Sequence, residues 1–183
     1  MTFPGTTIET TRLDKNSSRI LFDGIFATGG ITLSQVSVMT GLEPYLVQNW
    51  VRRGFLTSPK KRVYSRQQFA RIIIINMLRE SLQIEKICKL IEYIGGELDD
   101  PNDDLISDNL LYHMYVDMLS VGDINILDER SVENATRNAA SGFNERQPGD
   151  KKKLEKILQV MLYGHSASSI RNKAESILNS IDS

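Results

Sequence analysis

Apolar and polar positions follow a helical period through most of this chain, with apolar residues recurring every three or four positions. Only the segment 55–65 instead alternates like a short extended hairpin. The pattern therefore indicates a mainly α protein. It predicts a short helix from Arg19 to Phe26 and further helices over 32–40, 44–53, 66–80, 83–93, 105–119 and 129–140, and two after Lys151 that are separated at Gly164.

Strong local signals for the start and end of a helix are found between residues 31 and 54. Thr32 is followed three residues later by Gln35, the spacing of a capping box. Gly41 stands where a helix ends in a left-handed residue, and Pro44 suits the first position of the next helix. These signals predict two short helices joined by a tight turn, the second ending near Gly54.

The second of these helices has an apolar and a polar face. Leu46, Val47, Trp50 and Val51 have the spacing of a face that packs inward. The opposite face carries amide, phenol and guanidinium groups, which hydrogen-bond base edges and phosphates. It consists of Tyr45, Gln48, Asn49, Arg52 and Arg53. The alternative is an ordinary solvated helix face, and the helix pattern alone does not distinguish the two.

The residues that follow favour a nucleic-acid interface. Lys60, Lys61 and Arg62 form a basic cluster, and Val63 and Tyr64 alternate into the next helix cap. A hairpin tipped by three cations is suited to contact a phosphate backbone. Arg66 and Arg71, on the next helix, would add phosphate contacts.

The motifs Thr32…Gly41, Trp50-Val51-Arg52-Arg53-Gly54, Tyr64-Ser65 and Ile84-x-x-Ile87 resemble the winged helix-turn-helix of the MerR superfamily. The resemblance is closer to an uncharacterised branch from Gram-positive bacteria, described as a domain of unknown function, and covers about 22–115. Two positions depart from it: Gln48 replaces a common Arg, and Trp50 replaces a common Tyr. The resemblance implies a winged helix-turn-helix followed by an all-helical C-terminal region, and a homodimer on double-stranded DNA.

From these observations we expect a DNA-binding transcriptional regulator that reads the major groove with helix 44–53 and the backbone with wing 55–65. The alternative is a protein-interaction module that retains a winged-helix shape without DNA affinity, since a fold does not determine a function. The expected organisation is a flexible arm over 1–18, the winged domain over 19–96, an acidic linker over 97–104 and a dimerisation or effector region over 105–183.

The distribution of charge supports a division of roles. The 183 residues carry a net charge of −1, but residues 31–96 hold ten Lys/Arg against four Asp/Glu, and residues 97–183 hold nine against sixteen. A basic part joined to an acidic part suits one surface for phosphate and another for protein or an unidentified effector.

The sequence contains little that suggests catalysis. Two isolated histidines and one cysteine, Cys88, have no neighbouring nucleophile or ligand in sequence, so we expect no enzyme activity, no metal and no cofactor. The acidic stretch 97–104 lacks the pattern of a calcium loop. The sequence also lacks a secretory signal and an apolar run of membrane-spanning length, which favours the cytoplasm and no membrane partner.

The helix expected over 105–119 has two possible roles. Its apolar stripe consists of Ile106, Leu110, Met114 and Met118, widened by Leu111, Tyr115 and Leu119. Most amphipathic helices pack within their own chain, and we favour that role. The resemblance to MerR-like dimers suggests instead that it pairs antiparallel with its twin.

Overall fold

A computed structural model describes residues 1–95 and 105–181 of the chain. In these ranges the protein is mainly α-helical, with one two-stranded antiparallel sheet. The elements in chain order are α1 (Ser17–Ile25), β1 (Ile31–Thr32), α2 (Leu33–Thr40), α3 (Pro44–Arg52), β2 (Val63–Tyr64), α4 (Arg66–Leu78), α5 (Ile84–Gly95), α6 (Asp108–Ser120), α7 (Glu129–Ala139) and α8 (Asp150–Ile181). The acidic linker expected over 97–104 lies outside the described residues.

The capping box that the sequence predicts at Thr32 is present. The Thr32 hydroxyl accepts from the backbone N–H of Gln35, whose side chain accepts in turn from the Thr32 N–H. Ser65 and Gln68 form the same capping box at the start of α4, and Asp128 caps α7. Each cap satisfies backbone donors that have no partner within the helix.

Helix α4 lies at the centre of the protein. It packs against α2, α5, α6 and α8, and every residue from Phe69 to Ile75 is buried. The four consecutive isoleucines of this helix are fully buried, although they point in all directions around its axis. A helix that is apolar around its whole circumference requires neighbours on all sides, and α4 has them.

A pair of opposite charges is buried in this core. Arg71 Nε donates to Asp108 Oδ2 at 2.7 Å, and the two side chains are only 11% and 2% exposed. Burial raises the pKa of Asp108, and the neighbouring Arg71 guanidinium opposes that rise. The pair joins the centre of α4 to the first turn of α6 and satisfies the buried cation.

Several N-terminal residues, within the segment 1–18 that the sequence assigns to an arm, form hydrogen bonds to the helices. The Tyr112 hydroxyl donates to Pro4 O at 3.0 Å, and the Asn76 amide donates to Gly5 O at 3.0 Å. Thr7 bonds through its backbone and its hydroxyl to α2 carbonyls. Residues 1–16 are therefore docked on α2, α4 and α6. These contacts use backbone carbonyls, which leave no apolar period in the sequence.

The C-terminal region also differs from the prediction, because Gly164 does not break the helix. It lies within α8, which is continuous for 32 residues. A Cβ atom at Gly164 would lie 2.7 Å from Leu78 Cδ2, so the glycine permits close approach of α8 to the end of α4. His165, expected in a turn, is helical and lies 2.8 Å from the Tyr115 hydroxyl through Nδ1.

Helix α6 packs inside its own chain, as favoured from sequence. Leu111, Tyr112, Tyr115 and Val116 are fully buried, and α6 contacts α1, α4 and α7. Leu110 and Met114, which the sequence grouped into the packing stripe, instead line a cavity beside α7. None of the helices in the described ranges has both the length and the apolar character that a bilayer span requires.

We predict that Arg71→Ala lowers the free energy of unfolding by about 3–5 kcal/mol, because it leaves the Asp108 carboxylate buried without its cation. The double variant Arg71→Met, Asp108→Leu should recover most of that loss, since it removes both charges and keeps apolar volume. Urea unfolding followed by circular dichroism measures the free energy of unfolding of both variants. A loss below about 1 kcal/mol in the single variant would show that the pair behaves like an exposed one.

A second prediction concerns His113, whose Nδ1 lies 2.9 Å from the Ser18 hydroxyl. Burial, reinforced by Arg19, lowers the pKa of His113 to about 4. Protonation therefore favours the unfolded chain, whose histidine has a pKa of about 6.5. The contribution of neutral His113 to the free energy of unfolding is complete above pH ~6.5. It decreases by up to about 1.4 kcal/mol per pH unit as the pH falls toward 4.

His113→Asn keeps a hydrogen-bonding group beside Ser18 and removes the titration. Between pH 4 and 6.5 its free energy of unfolding should decrease less steeply than that of the wild type, while the carboxylates common to both contribute equally. Parallel curves over this interval would show that folding does not lower the pKa of His113.

Candidate nucleic-acid interface

Helix α3 presents the polar face that the sequence predicts. Val47 and Trp50 are buried beneath it, and Tyr45, Gln48 and Arg52 are exposed on its outer side. Asn49 is half-buried. The three-residue turn before α3 has Gly41 at φ +70°, and Pro44 occupies the first turn of the helix. The exposed face thus offers a phenol, an amide and a guanidinium group.

Arg53 is exposed at the end of α3, but it already has partners. Its Nη2 donates to Glu85 Oε1 of α5 at 2.6 Å, and its guanidinium lies 4.5 Å from the centre of the Phe55 ring. The hydrogen bond from Arg53 lowers the pKa of Glu85. Because both side chains are more than 40% exposed, the pair contributes little to stability and leaves Arg53 able to exchange Glu85 for a phosphate.

The cations of the segment 55–65 stand at a tight turn, which we call the basic turn (Lys60–Val63). The Val63 N–H donates to Lys60 O at 3.0 Å, and the two central residues, Lys61 and Arg62, have φ of +52° and +65°. Two successive positive φ values are typical of a type I′ turn, which favours Asn-Gly. Lysine and arginine at these positions cost conformational free energy. All three cations are exposed, and none forms an ion pair with a described residue.

Two sets of hydrogen bonds hold the basic turn in place. Strand β2, which follows it, pairs with β1 through Ile31↔Tyr64 and Thr32↔Val63. On the other side, the Gln68 amide donates to Thr57 O at 2.9 Å and to Ser58 O at 3.2 Å. The sequence predicted a hairpin closed within 55–65 and missed β1 as the partner, because a two-residue strand has no detectable period.

Two predicted contact residues are buried, and a third is paired with an acid. Tyr64 is 3% exposed and belongs to the core, because its position in β2 directs the side chain inward. Arg71 is buried with Asp108 and cannot reach a phosphate. Arg66 is half-buried, where it pairs with Asp23 at 2.6 Å and lies 5.7 Å from the Phe26 ring centre.

The predicted set thus separates into groups by accessibility. Tyr64 and Arg71 are removed from the candidate interface, Arg53 and Arg66 are paired with acids, and Asn49 is half-buried. The exposed residues that form no ion pair with a described residue are Tyr45, Gln48, Arg52, Lys60, Lys61 and Arg62. The sequence did not show which arginines have acidic partners, since Asp23, Glu85 and Asp108 lie 43, 32 and 37 residues away.

Other reactive groups do not assemble into a site in the described ranges. Cys88 is buried, and burial raises the pKa of its thiol to about 11, so the thiolate needed for nucleophilic attack is scarce at neutral pH. No group of three or more His, Cys, Asp or Glu side chains in residues 1–95 and 105–181 is placed to hold a metal ion.

Residues 30–115 match the model of a family described as "Domain of unknown function (DUF1836)". The match begins at the residue before β1, includes the candidate interface and ends within α6. No curated protein matches the chain. No solved structure matches it either.

Proposed function

We propose that this protein is a DNA-binding transcriptional regulator in which α3 enters the major groove and the basic turn acts as a wing on the flanking phosphate backbone. The observation that carries the proposal is the Lys61-Arg62 pair in left-handed backbone at a turn that favours Asn-Gly. Strain of this kind persists where it serves a function, and here it exposes adjacent cations.

The outer face of α3 supports the same function. Gln48 has the amide that pairs with adenine, and Arg52 has the fork that pairs with guanine or a phosphate. The Tyr45 side chain is 62% exposed, so it is not needed for the packing of α3 against the core. Residues 31–96, which contain both features, carry an excess of six positive charges. The MerR-like resemblance implies the same assignment for this segment.

For the proposed homodimer, we place the interface on α8, because α6 packs within its own chain. Residues 169–181 are exposed throughout, although Arg171 Nη1 donates to Glu80 O at 3.2 Å. Exposed apolar and small residues recur along α8 at strictly alternating steps of three and four, the spacing of a coiled-coil seam. The seam comprises Val160, Tyr163, Ala167, Ile170, Ala174, Ile177 and Ile181.

The sizes of the seam residues favour an antiparallel pair. In heptad terms the two central a positions are Ala167 and Ala174, flanked by Val160 and Ile181, and the d positions are Tyr163, Ile170 and Ile177. A parallel pair stacks alanine on alanine and isoleucine on isoleucine, which leaves uneven gaps. An antiparallel pair places a against d, so that small residues face large ones. A two-fold dimer of this kind suits pseudo-palindromic DNA.

We predict that Lys61→Asn, Arg62→Gly stabilises the fold and weakens DNA binding. The free energy of unfolding should rise by about 1 kcal/mol, because the turn gains residues that tolerate positive φ. Affinity for pooled random-sequence duplex DNA, measured by fluorescence anisotropy, should fall. The slope of log affinity against log salt should decrease by about 0.9 for each phosphate that the variant no longer neutralises.

The matched control is Arg130→Ala, Lys152→Ala, which removes the same two kinds of charge from exposed positions on α7 and α8. Its DNA affinity and salt slope should stay close to those of the wild type. If the turn variant binds DNA as tightly as the control, the basic turn is not a DNA contact. If the wild type itself fails to bind at low salt, the protein-interaction alternative replaces the proposal.

We predict that Ile177→Asp converts the dimer to a monomer of 20.7 kDa, because it buries a charge in the seam. Sedimentation equilibrium measures the mass. Asn172→Asp, on the opposite side of the same exposed helix, is the matched control and should remain dimeric. A dimeric Ile177→Asp variant would exclude the α8 seam, and a monomeric wild type would exclude the proposed dimer.

A further inference from the structure

The end of α3 is joined to the first turn of α5 by the ion pair between Arg53 and Glu85. Arg53 Nη2 donates to Glu85 Oε1 at 2.6 Å, and the two side chains are 43% and 60% exposed. An ion pair this exposed contributes little to stability and opens readily in water. The pair therefore lies at the edge of the candidate interface without being needed to hold the two helices together.

Arg53 keeps a second partner when the pair opens. Its guanidinium lies 4.5 Å from the centre of the Phe55 ring, a distance at which the face of an aromatic ring attracts a cation. The backbone holds that ring in place, because the Phe55 N–H donates to Trp50 O at 2.9 Å and Gly54 has φ +75° at the end of α3. The guanidinium can thus stay where it is while its anionic partner changes from Glu85 to another group.

Glu85 also keeps a partner when the pair opens. It belongs to the first turn of α5, where the positive end of the helix dipole stabilises a carboxylate. The pKa of Glu85 is lowered first by the hydrogen bond from Arg53 and next by a hydrogen bond from its own backbone. Opening this pair therefore leaves neither charge without support, in contrast to the buried pair of Arg71 and Asp108.

Arg53 lies between the two proposed DNA contacts in sequence. It directly follows Arg52 of α3, and the basic turn that begins at Lys60 comes after it. Arg52 is exposed and forms no ion pair with a described residue, whereas Glu85 neutralises Arg53. Of the four acidic residues in 31–96, Glu85 is the one that forms an ion pair with a described cation. The paired acid of this basic part is thus placed on a candidate contact residue.

We infer that Glu85 is an autoinhibitory contact, whose carboxylate occupies the place at Arg53 that a DNA phosphate takes in the complex. The guanidinium fork binds carboxylate and phosphate with the same geometry, and two anions at one guanidinium repel each other. DNA must therefore displace Glu85, so that α5 lowers the affinity of the interface for duplex DNA. A displacement of the first turn of α5 would release Arg53 and raise that affinity. The role of Glu85 rests on the proposed DNA binding and regulates that same site.

The test measures binding of the full chain to pooled random-sequence duplex DNA by fluorescence anisotropy. Glu85→Gln removes the charge and keeps the shape of the side chain. It should raise the affinity by about two- to fivefold, the range expected for one exposed ion pair.

Glu92→Gln is the matched control. Glu92 is exposed two turns later on the same side of α5, and it forms no ion pair with a described residue. Its removal should change the affinity by less than about 1.5-fold, since salt screens an exposed charge that has no close partner.

Arg53→Gln distinguishes a local exchange of partners from a general effect of charge. It should weaken DNA binding and lower the slope of log affinity against log salt by about 0.9, the value for one phosphate. In that background Glu85→Gln should have no more effect than Glu92→Gln, because the arginine that it releases is absent.

A measurement without DNA shows whether the pair forms in solution. An NMR titration of the Glu85 carboxyl carbon should give a higher pKa in Arg53→Gln than in the wild type, because the hydrogen bond from Arg53 is lost. Circular dichroism establishes that each variant is folded.

Three results would overturn the inference and leave the proposed function standing. In the first, the wild type binds DNA, and Glu85→Gln and Glu92→Gln change the affinity equally. In the second, Glu85→Gln gives the same gain with and without Arg53→Gln, which would show a general effect of charge. In the third, Arg53→Gln leaves the pKa of Glu85 unchanged. A wild type that fails to bind at low salt would instead remove the proposed function, and the role of Glu85 with it.

Discussion

The complete burial of helix α4 is the constraint on which the other elements depend. A helix with apolar residues on every side exposes a large area to water unless it is enclosed, and each isoleucine contributes roughly 1.5–3 kcal/mol when buried. Four neighbouring helices and the N-terminal segment enclose it here. The guanidinium of Arg71 is tolerated within this shell because Asp108 supplies the opposite charge at hydrogen-bonding distance.

Two glycines permit this enclosure by approaching α4 where no side chain fits. A Cβ at Gly5 would lie 2.4 Å from Ile73 O, and Gly5 also has φ +72°, which L side chains rarely adopt. Gly164 approaches Leu78 in the same way from α8. Gly5 thus allows the irregular N-terminal segment to contact α4, and Gly164 allows the continuous helix α8 to do so.

The parts of the fold that sequence predicts are those determined by nearby residues. The caps at Thr32 and Ser65, the left-handed Gly41 and the two faces of α3 all depend on residues within one helical turn of each other. Gly164 shows where local propensity fails to predict the fold. A glycine within a helix lowers its stability by about 1 kcal/mol relative to alanine, and packing of α8 on α4 outweighs this loss. The docked N-terminus and the burial of Arg71 follow from contacts across dozens of residues, which one sequence does not disclose.

The same distinction applies to the candidate interface. The exposed face of α3 follows from helical spacing, so Tyr45, Gln48 and Arg52 were predictable as outward residues. Lys60, Lys61 and Arg62 are exposed as well. The type I′ backbone of their turn, however, is not predicted by the sequence. Tyr64 follows directly after this turn, yet the pairing of β2 with β1 directs its side chain into the core. A short strand therefore decides which residues of one basic segment face solvent.

Helix α1 connects α6 to the start of α4, and the strengths of its ion pairs indicate how tightly. Arg19 bonds to Asp117 of α6, and Asp23, one turn later, pairs with Arg66 at the start of α4. The second pair is largely exposed and contributes about 0–1 kcal/mol, which limits any coupling through it to roughly fivefold. Phe22 lies between them, fully buried, with its ring centre 5.5 Å from that of Phe69 and 5.6 Å from that of Tyr112. Because close-packed aromatic contacts resist independent movement, α1 should move with α4 and α6 as one body.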